Sequence, residues 1–315
     1  ISMLLSMGFD RSQALQALNA CGNLERAIDF LLNGGVGGGD ATSGHQNQDA
    51  TYHTNATGSG DSGAVRAVHS SVSQYTDTLG RSACTSIALT MACKFLTSQN
   101  TTTNNNNTET ETIINSTFLS ESIQDGIKMY THLTSIANSG VEHSSVEELL
   151  NICSSSNNNT SKNIATSMKL LHSSPRQGIL TNNSANHPMG LESVLSSCIA
   201  DHADVNATTT MSYIAVVITK PPETILVLLP ISPQQQSSTA SSSSSYILLD
   251  SHPRPQQLSP HYPSGSYALF HPNLMGLVAS LKRIFPVVDL GHDVPEMMAM
   301  MYNSFDVYPF RHQGR

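Results

Sequence analysis

The chain has 315 residues, a formal net charge of −8 and 12% charged residues. Mild acidity with scattered Lys and Arg excludes a nucleic-acid footprint, and the length fits one or two domains. Five cysteines, at 21, 84, 93, 153 and 198, form neither regular pairs nor a C-x-x-C spacing. That argues against a disulfide scaffold or a structural zinc and for a reducing, intracellular setting, cytoplasmic or nuclear. No apolar run reaches the length of a membrane span and no signal peptide is visible, so no membrane partner is expected.

Residues 1–35 read as three short helices. An apolar first piece, 1–6, is followed by the tight loop Met7-Gly8-Phe9. Asp10 can cap a second helix with Gln13 at the capping-box position, and Ala14, Leu15 and Leu18 share one face of it. Asn23 can cap a third helix, lined by Leu24, Ala27, Ile28, Leu31 and Leu32 and ended by Asn33-Gly-Gly35. This stretch resembles a ubiquitin-associated (UBA) domain in its Met-Gly-Phe loop, its Gly22-Asn23 turn and its Ala27-Ile28-x-x-Leu31-Leu32 end. The resemblance implies ubiquitin or ubiquitinated proteins as partners, contacted through Met7, Gly8, Phe9, Leu31 and Leu32.

Residues 36–63 are rich in Gly, Ser, Thr, Asn and Asp and read as a flexible linker. Similar polar tracts near 98–111, 154–161, 180–188 and 230–245 read as insertions in surface loops of a second domain, 64–315.

That second domain opens with an extended piece over Val65–Ser73, then a helix from Cys84 to about Leu96, with Ile87, Ala88, Met91, Ala92 and Phe95 on one face. Further helices are expected over Leu119–His132, from a capping pattern at Ser145-Val-Glu-Glu148, and around Glu192–Leu195. The pattern then turns to strands: Met211–Lys220, Thr224–Leu229, Tyr246–Leu249 and Tyr267–Phe270. Leu274–Phe285 returns to helical spacing, and Val287–Leu290 and Met297–Asp306 form the tail. Helices first and strands later predict an α+β domain, a helical layer on an antiparallel sheet.

Two pieces carry chemistry. Cys84 falls in the first turn of its helix, where free N–H groups and the helix dipole favour a thiolate. Asp250 and His252 end a buried strand, two residues apart and therefore on one side of it. Each has an ordinary reading: Cys84 as a buried structural residue, Asp250 as a turn-capping carboxylate. Together they have the layout of a thiol hydrolase. Tyr213 and Tyr267 read either as core aromatics or as cleft walls.

Ser82-Ala-Cys84-x-x-Ile-Ala88 with Gln74 upstream, Ile123-x-x-Gly126-x-x-x-Tyr130, Val146-Glu-Glu-Leu-Leu150 and Leu249-Asp250-Ser-His252-x-Arg254 resemble papain-like cysteine peptidases. The likeness is to the deubiquitinase domain of herpesvirus large tegument proteins and its cellular relatives. It implies Cys84 as nucleophile, His252 as base, Asp250 as its orienter and Gln74 at the oxyanion site, with no cofactor and no metal. The activity implied is cleavage of ubiquitin C-terminal bonds. The alternatives are a non-catalytic ubiquitin adaptor and a protease for a ubiquitin-like modifier.

Overall fold

The computed structural model describes residues 15, 52–54, 65–102, 110–137, 144–155, 159–181, 187–202, 212–231, 245–254, 265–291 and 293–313. The chain divides into two compact units, Ile1–Gln48 and Asp49–Arg315. The expected UBA contacts Met7, Gly8, Phe9, Leu31 and Leu32 lie outside the described residues, so the fold below is that of the second unit.

The second unit is an α+β fold on an antiparallel sheet. Its strands are β1 (Tyr52–Thr54), β2 (Val65–His69), β3 (Met168–Leu170), β4 (Arg176–Ile179), β5 (Ser212–Lys220), β6 (Glu223–Ile231), β7 (Tyr246–Asp250), β8 (Tyr267–His271) and β9 (Ser304–His312). Their order is β1-β2-β8-β7-β6-β5-β9-β3, and β4 also pairs with β9. The helices are α1 (Cys84–Thr102), α2 (Thr110–Ile113), α3 (Ser116–Ala137), α4 (Val146–Ser155), α5 (Asn159–Ser167), α6 (Leu191–His202), α7 (Leu274–Ile284) and α8 (Glu296–Tyr302).

The central strands read as unbroken apolar runs because both faces are covered. Tyr213, Ala215 and Val217 of β5, with Leu226 and Leu228 of β6, join a core with α1, α3, α4 and α5. Their neighbours Ile214, Val216, Ile218, Ile225 and Val227 join a second core with α6 and α7. The expectation of one helical layer is thereby extended to two. Helix α1 lies deepest: every residue from Cys84 to Cys93 is buried, enclosed by β5, β6, α3 and α5.

Several expected boundaries move. The tract near 98–111 is partly helical, because α1 runs on to Thr102 and α2 opens at Thr110. It holds neither Gly nor Pro to stop a helix. Within 154–161, α5 already begins at Asn159, held by buried Ile164. Pro230 and Ile231 belong to β6, opposite Tyr213 and Ser212. Leu180 is buried, its N–H donating to the Asn303 carbonyl. The tail separates into α8 and the central strand β9. Pro309 within that strand hides it from sequence reading.

Helices α1 and α3 touch at Gly126. The Ser86 hydroxyl donates to the Gly126 carbonyl at 2.9 Å, and a Cβ on Gly126 would lie 2.6 Å from Ile87 Cα. Because the obstacle is backbone, the helices themselves would have to part. Gly126→Ala should therefore cost about 1–3 kcal/mol, read as a lower urea midpoint with an unchanged slope.

Candidate active site

Sheet parity explains how the site is assembled. Thr224 shares the parity of Leu226 and Leu228 and so lies toward the first core. Its hydroxyl pairs with that of Thr85, next to Cys84, at 3.0 Å. Asp250 has the parity of Leu248, on the second face, and receives the hydroxyl of Tyr267 at 3.1 Å. Between them, at the end of the sheet, the chain bends at Ser251 and His252, and the imidazole bridges the two sides.

Asp250 is completely buried, and both of its oxygens are fully engaged. Oδ1 accepts from His252 N–H at 2.9 Å and from His252 Nδ1 at 2.6 Å. Oδ2 accepts from Arg254 Nε at 2.9 Å and from Tyr267. Arg254 turns its other two nitrogens to both oxygens of Glu223, at 3.1 and 2.8 Å. Glu223 opens β6 beside the Pro221-Pro222 turn, so this fork ties the turn to the end of β7. The same oxygen thus caps the turn and accepts from the imidazole. The chain leaves the strand through this Asx-turn.

With Nδ1 committed to Asp250, Nε2 is the ring nitrogen left to act on the Cys84 thiol, to which His252 is electrostatically coupled. The sulfur also contacts the Pro222 carbonyl at 3.7 Å. Burial pushes the thiol pKa up, but the hydrogen bond and charge of His252, with Thr224, outweigh it and hold it below the ordinary value. The other three described cysteines behave oppositely. Burial raises Cys93 and Cys198 to about 11, and raises Cys153. Burial disfavours a charged imidazole at His252, yet the Asp250 carboxylate prevails and raises its pKa. Asp250 is itself held far below the carboxylate range. Its desolvation is overcome by the charge of Arg254, then by His252.

Gln74 is buried and locked to the same bend. Its N–H donates to the Ser251 carbonyl at 3.1 Å, its Oε1 accepts from the Ser251 hydroxyl at 2.8 Å, and its Nε2 donates to the Arg81 carbonyl at 3.3 Å. Sequence distance across 75–81 conceals this closeness. Two short 3₁₀ turns, Gln74–Thr76 and Thr78–Gly80, fold that loop back.

Both tyrosines take the core reading. Tyr213 is buried, edge-on to Phe95, and Tyr267 is buried on Asp250, so neither lines a cleft. The aromatic beside the imidazole is Tyr75, its ring 5.9 Å from that of His252 and edge-on. Burial and then Glu223 raise its pKa to about 12. Sequence reasoning missed Tyr75, and its place directly after Gln74 was the available signal. Arg254 and Glu223 were also unassigned. Arg254 was visible as part of the Asp-Ser-His-x-Arg run; Glu223 carried no signal.

Among the described residues no three His, Cys, Asp or Glu side chains gather as a metal site, and no helix is long and apolar enough to cross a membrane. Taken together, the second unit is an α+β domain with a buried Cys–His–Asp cluster at the end of its sheet. Residues 1–31 match the UBA/TS-N domain family, so the chain carries an N-terminal UBA domain. No curated protein matches the chain.

A carboxyl whose pKa is depressed on folding adds stability above its unfolded value, about 3.9, and that stability is lost as pH falls through the folded value. Asp250→Asn should therefore be less stable than the parent at pH 7, by about 3–5 kcal/mol for a broken buried pair. The gap should narrow as pH drops from 5 towards 2. Urea midpoints of both proteins across that range test this.

Proposed function

We propose that the chain is a cysteine-type deubiquitinase, its UBA domain holding ubiquitin while Cys84 cleaves the bond at a ubiquitin C-terminus. The observation that carries the reading is the buried His252–Asp250 pair, its Nδ1 held 2.6 Å from the carboxylate, beside the buried Cys84 at the start of its helix. His252 takes the thiol proton, giving a thiolate–imidazolium pair. The thiolate attacks the carbonyl carbon of the terminal glycine. The oxyanion is met by the Cys84 N–H at the helix start and by the Gln74 amide. His252 then protonates the departing amine, and water hydrolyses the thioester. Asp250 stays ionised throughout and fixes the imidazole.

Cys84 and His252 are each 3% exposed. A substrate tail therefore reaches the sulfur only when Tyr75 or the Pro221-Pro222 turn moves aside. That closure, and the UBA match itself, favour a second reading: a ubiquitin-binding adaptor whose second domain keeps the cluster without using it. A protease for a ubiquitin-like modifier keeps the chemistry and changes the substrate.

A ubiquitin probe carrying a C-terminal electrophile separates the three. It should label the chain on Cys84, as mapped by mass spectrometry, and Cys84→Ala should abolish the adduct. His252→Ala should confine labelling to alkaline pH, because the thiol returns toward about 8.5. Gln74→Ala should label slowly and lose roughly 10²-fold or more in hydrolysis, the usual cost of one oxyanion donor. A folded chain that binds ubiquitin yet never labels is the adaptor. Labelling solely by a ubiquitin-like probe reassigns the substrate.

The UBA domain should bind ubiquitin with or without Cys84, through a small apolar contact centred on a flexible methionine. Titration of labelled ubiquitin should show shifts at its hydrophobic patch, weakened by Met7→Ala and unaffected by Cys84→Ala.

A further inference from the structure

Ten large apolar side chains stand exposed among the described residues, and five of them lie on the seven-residue helix α8. Met297 is 74% exposed, Met301 69% and Tyr302 61%, with Met298 and Met300 beside them. No residue of α8 is buried. The helix is nonetheless firmly mounted. Buried Asn303 donates through its side-chain nitrogen to the carbonyls of Val288 and Ala299, at 3.0 and 2.9 Å. Its side-chain oxygen accepts from Val288 N–H at 2.8 Å, and the Ser304 hydroxyl donates to the Met301 carbonyl at 2.7 Å. A buried amide thus fixes a helix that contributes nothing to either core. Methionine gives such a surface an adaptable apolar face, and a patch of this kind marks an interaction site.

Strand register places α8. On β9, Asp306 lies opposite Thr219 of β5, so Ser304 is level with the Pro221-Pro222 turn, whose Pro222 carbonyl contacts the Cys84 sulfur. Helix α8 ends at Tyr302, just before Ser304, two strand spacings from β6, or roughly 10 Å. An extended tail of four or five residues spans about 14–17 Å. A tail of that span is what a small domain seated on α8 would use to bring its own C-terminus to this end of the sheet. Charge narrows the partner. Between Arg283 and Arg311 the chain has the carboxylates Asp289, Asp293, Glu296 and Asp306 and neither lysine nor arginine. The fitting occupant has an apolar patch rimmed by basic side chains.

We propose that α8 is a second ubiquitin-docking surface, seating the globular body of the ubiquitin whose tail enters the Cys84 site. This rests on the ubiquitin reading above, though not on turnover. The test uses the full chain with Met7→Ala and Leu31→Ala to weaken the UBA domain and Cys84→Ala to stop reaction. Titrated into labelled ubiquitin, it should still shift the ubiquitin hydrophobic patch. Adding Met297→Glu and Met301→Glu should weaken that binding at least tenfold with the thermal melt unchanged. Binding unaffected by the methionine pair overturns the proposal, as does absence of residual binding. A dimer in sedimentation velocity that the same pair dissolves, with ubiquitin shifts unaltered, would assign α8 to a second copy and also overturn it. Electrophile labelling of the chain with Cys84 restored keeps the two readings apart. Labelling without methionine-dependent binding removes the docking surface alone. Methionine-dependent binding without labelling removes the thiol chemistry alone.

Discussion

Everything at the end of the sheet hangs on one buried carboxylate. Asp250 lies out of water with four donors on its two oxygens. Burying an ion is costly unless such partners surround it. Here the partners come from the bend that follows β7 and from β8. Arg254 ties the carboxylate to Glu223 on the next strand, Tyr267 ties it to β8, and His252 carries its influence to the sulfur. Remove the carboxylate and Arg254 loses half of its ion pairing, while the imidazole loses its orientation.

The second constraint is that the site straddles two hydrophobic cores. Helix α1 packs into one and Tyr267 into the other. A flat sheet would keep these groups apart. The bend at Ser251 and His252, beyond the last ladder pair Asp250–Tyr267, lets a side chain cross the sheet's end. Ser251 then serves a further purpose, because both its backbone and its hydroxyl hold Gln74. The proposed base, orienter and oxyanion donor are thereby fixed by a single stretch of five residues. The thiol faces this stretch from a helix buried from Cys84 to Cys93, the kind of support that precise geometry needs.

At the edges of the polar tracts, packing outweighs composition. Thr, Ser and Asn after Leu96 continue α1 because its preceding turns are already anchored in the core, and tertiary packing outweighs weak propensity. The Pro309 strand shows the reverse. A residue that argues against a central strand is accepted there because Pro309 pairs with Val216 on one side and on the other falls in the gap between the β4 and β3 ladders.

The sequence by itself determined the α+β class, the helix that begins at Cys84, the apolar strands β5 to β8, and the pairing of Asp250 with His252. Those features are local: each follows from periodicity or from residues two to four apart. It also carried the UBA pattern at the N-terminus, where the defining residues are neighbours. Only the tertiary structure decided that Gln74 meets Ser251, that Tyr75 rather than Tyr213 or Tyr267 stands beside the imidazole, that Glu223 closes the Arg254 fork, and that helices cover both sheet faces. Each of these joins groups separated by a loop or by many residues. Their contact depends on strand register and the route of the chain, which no local pattern encodes.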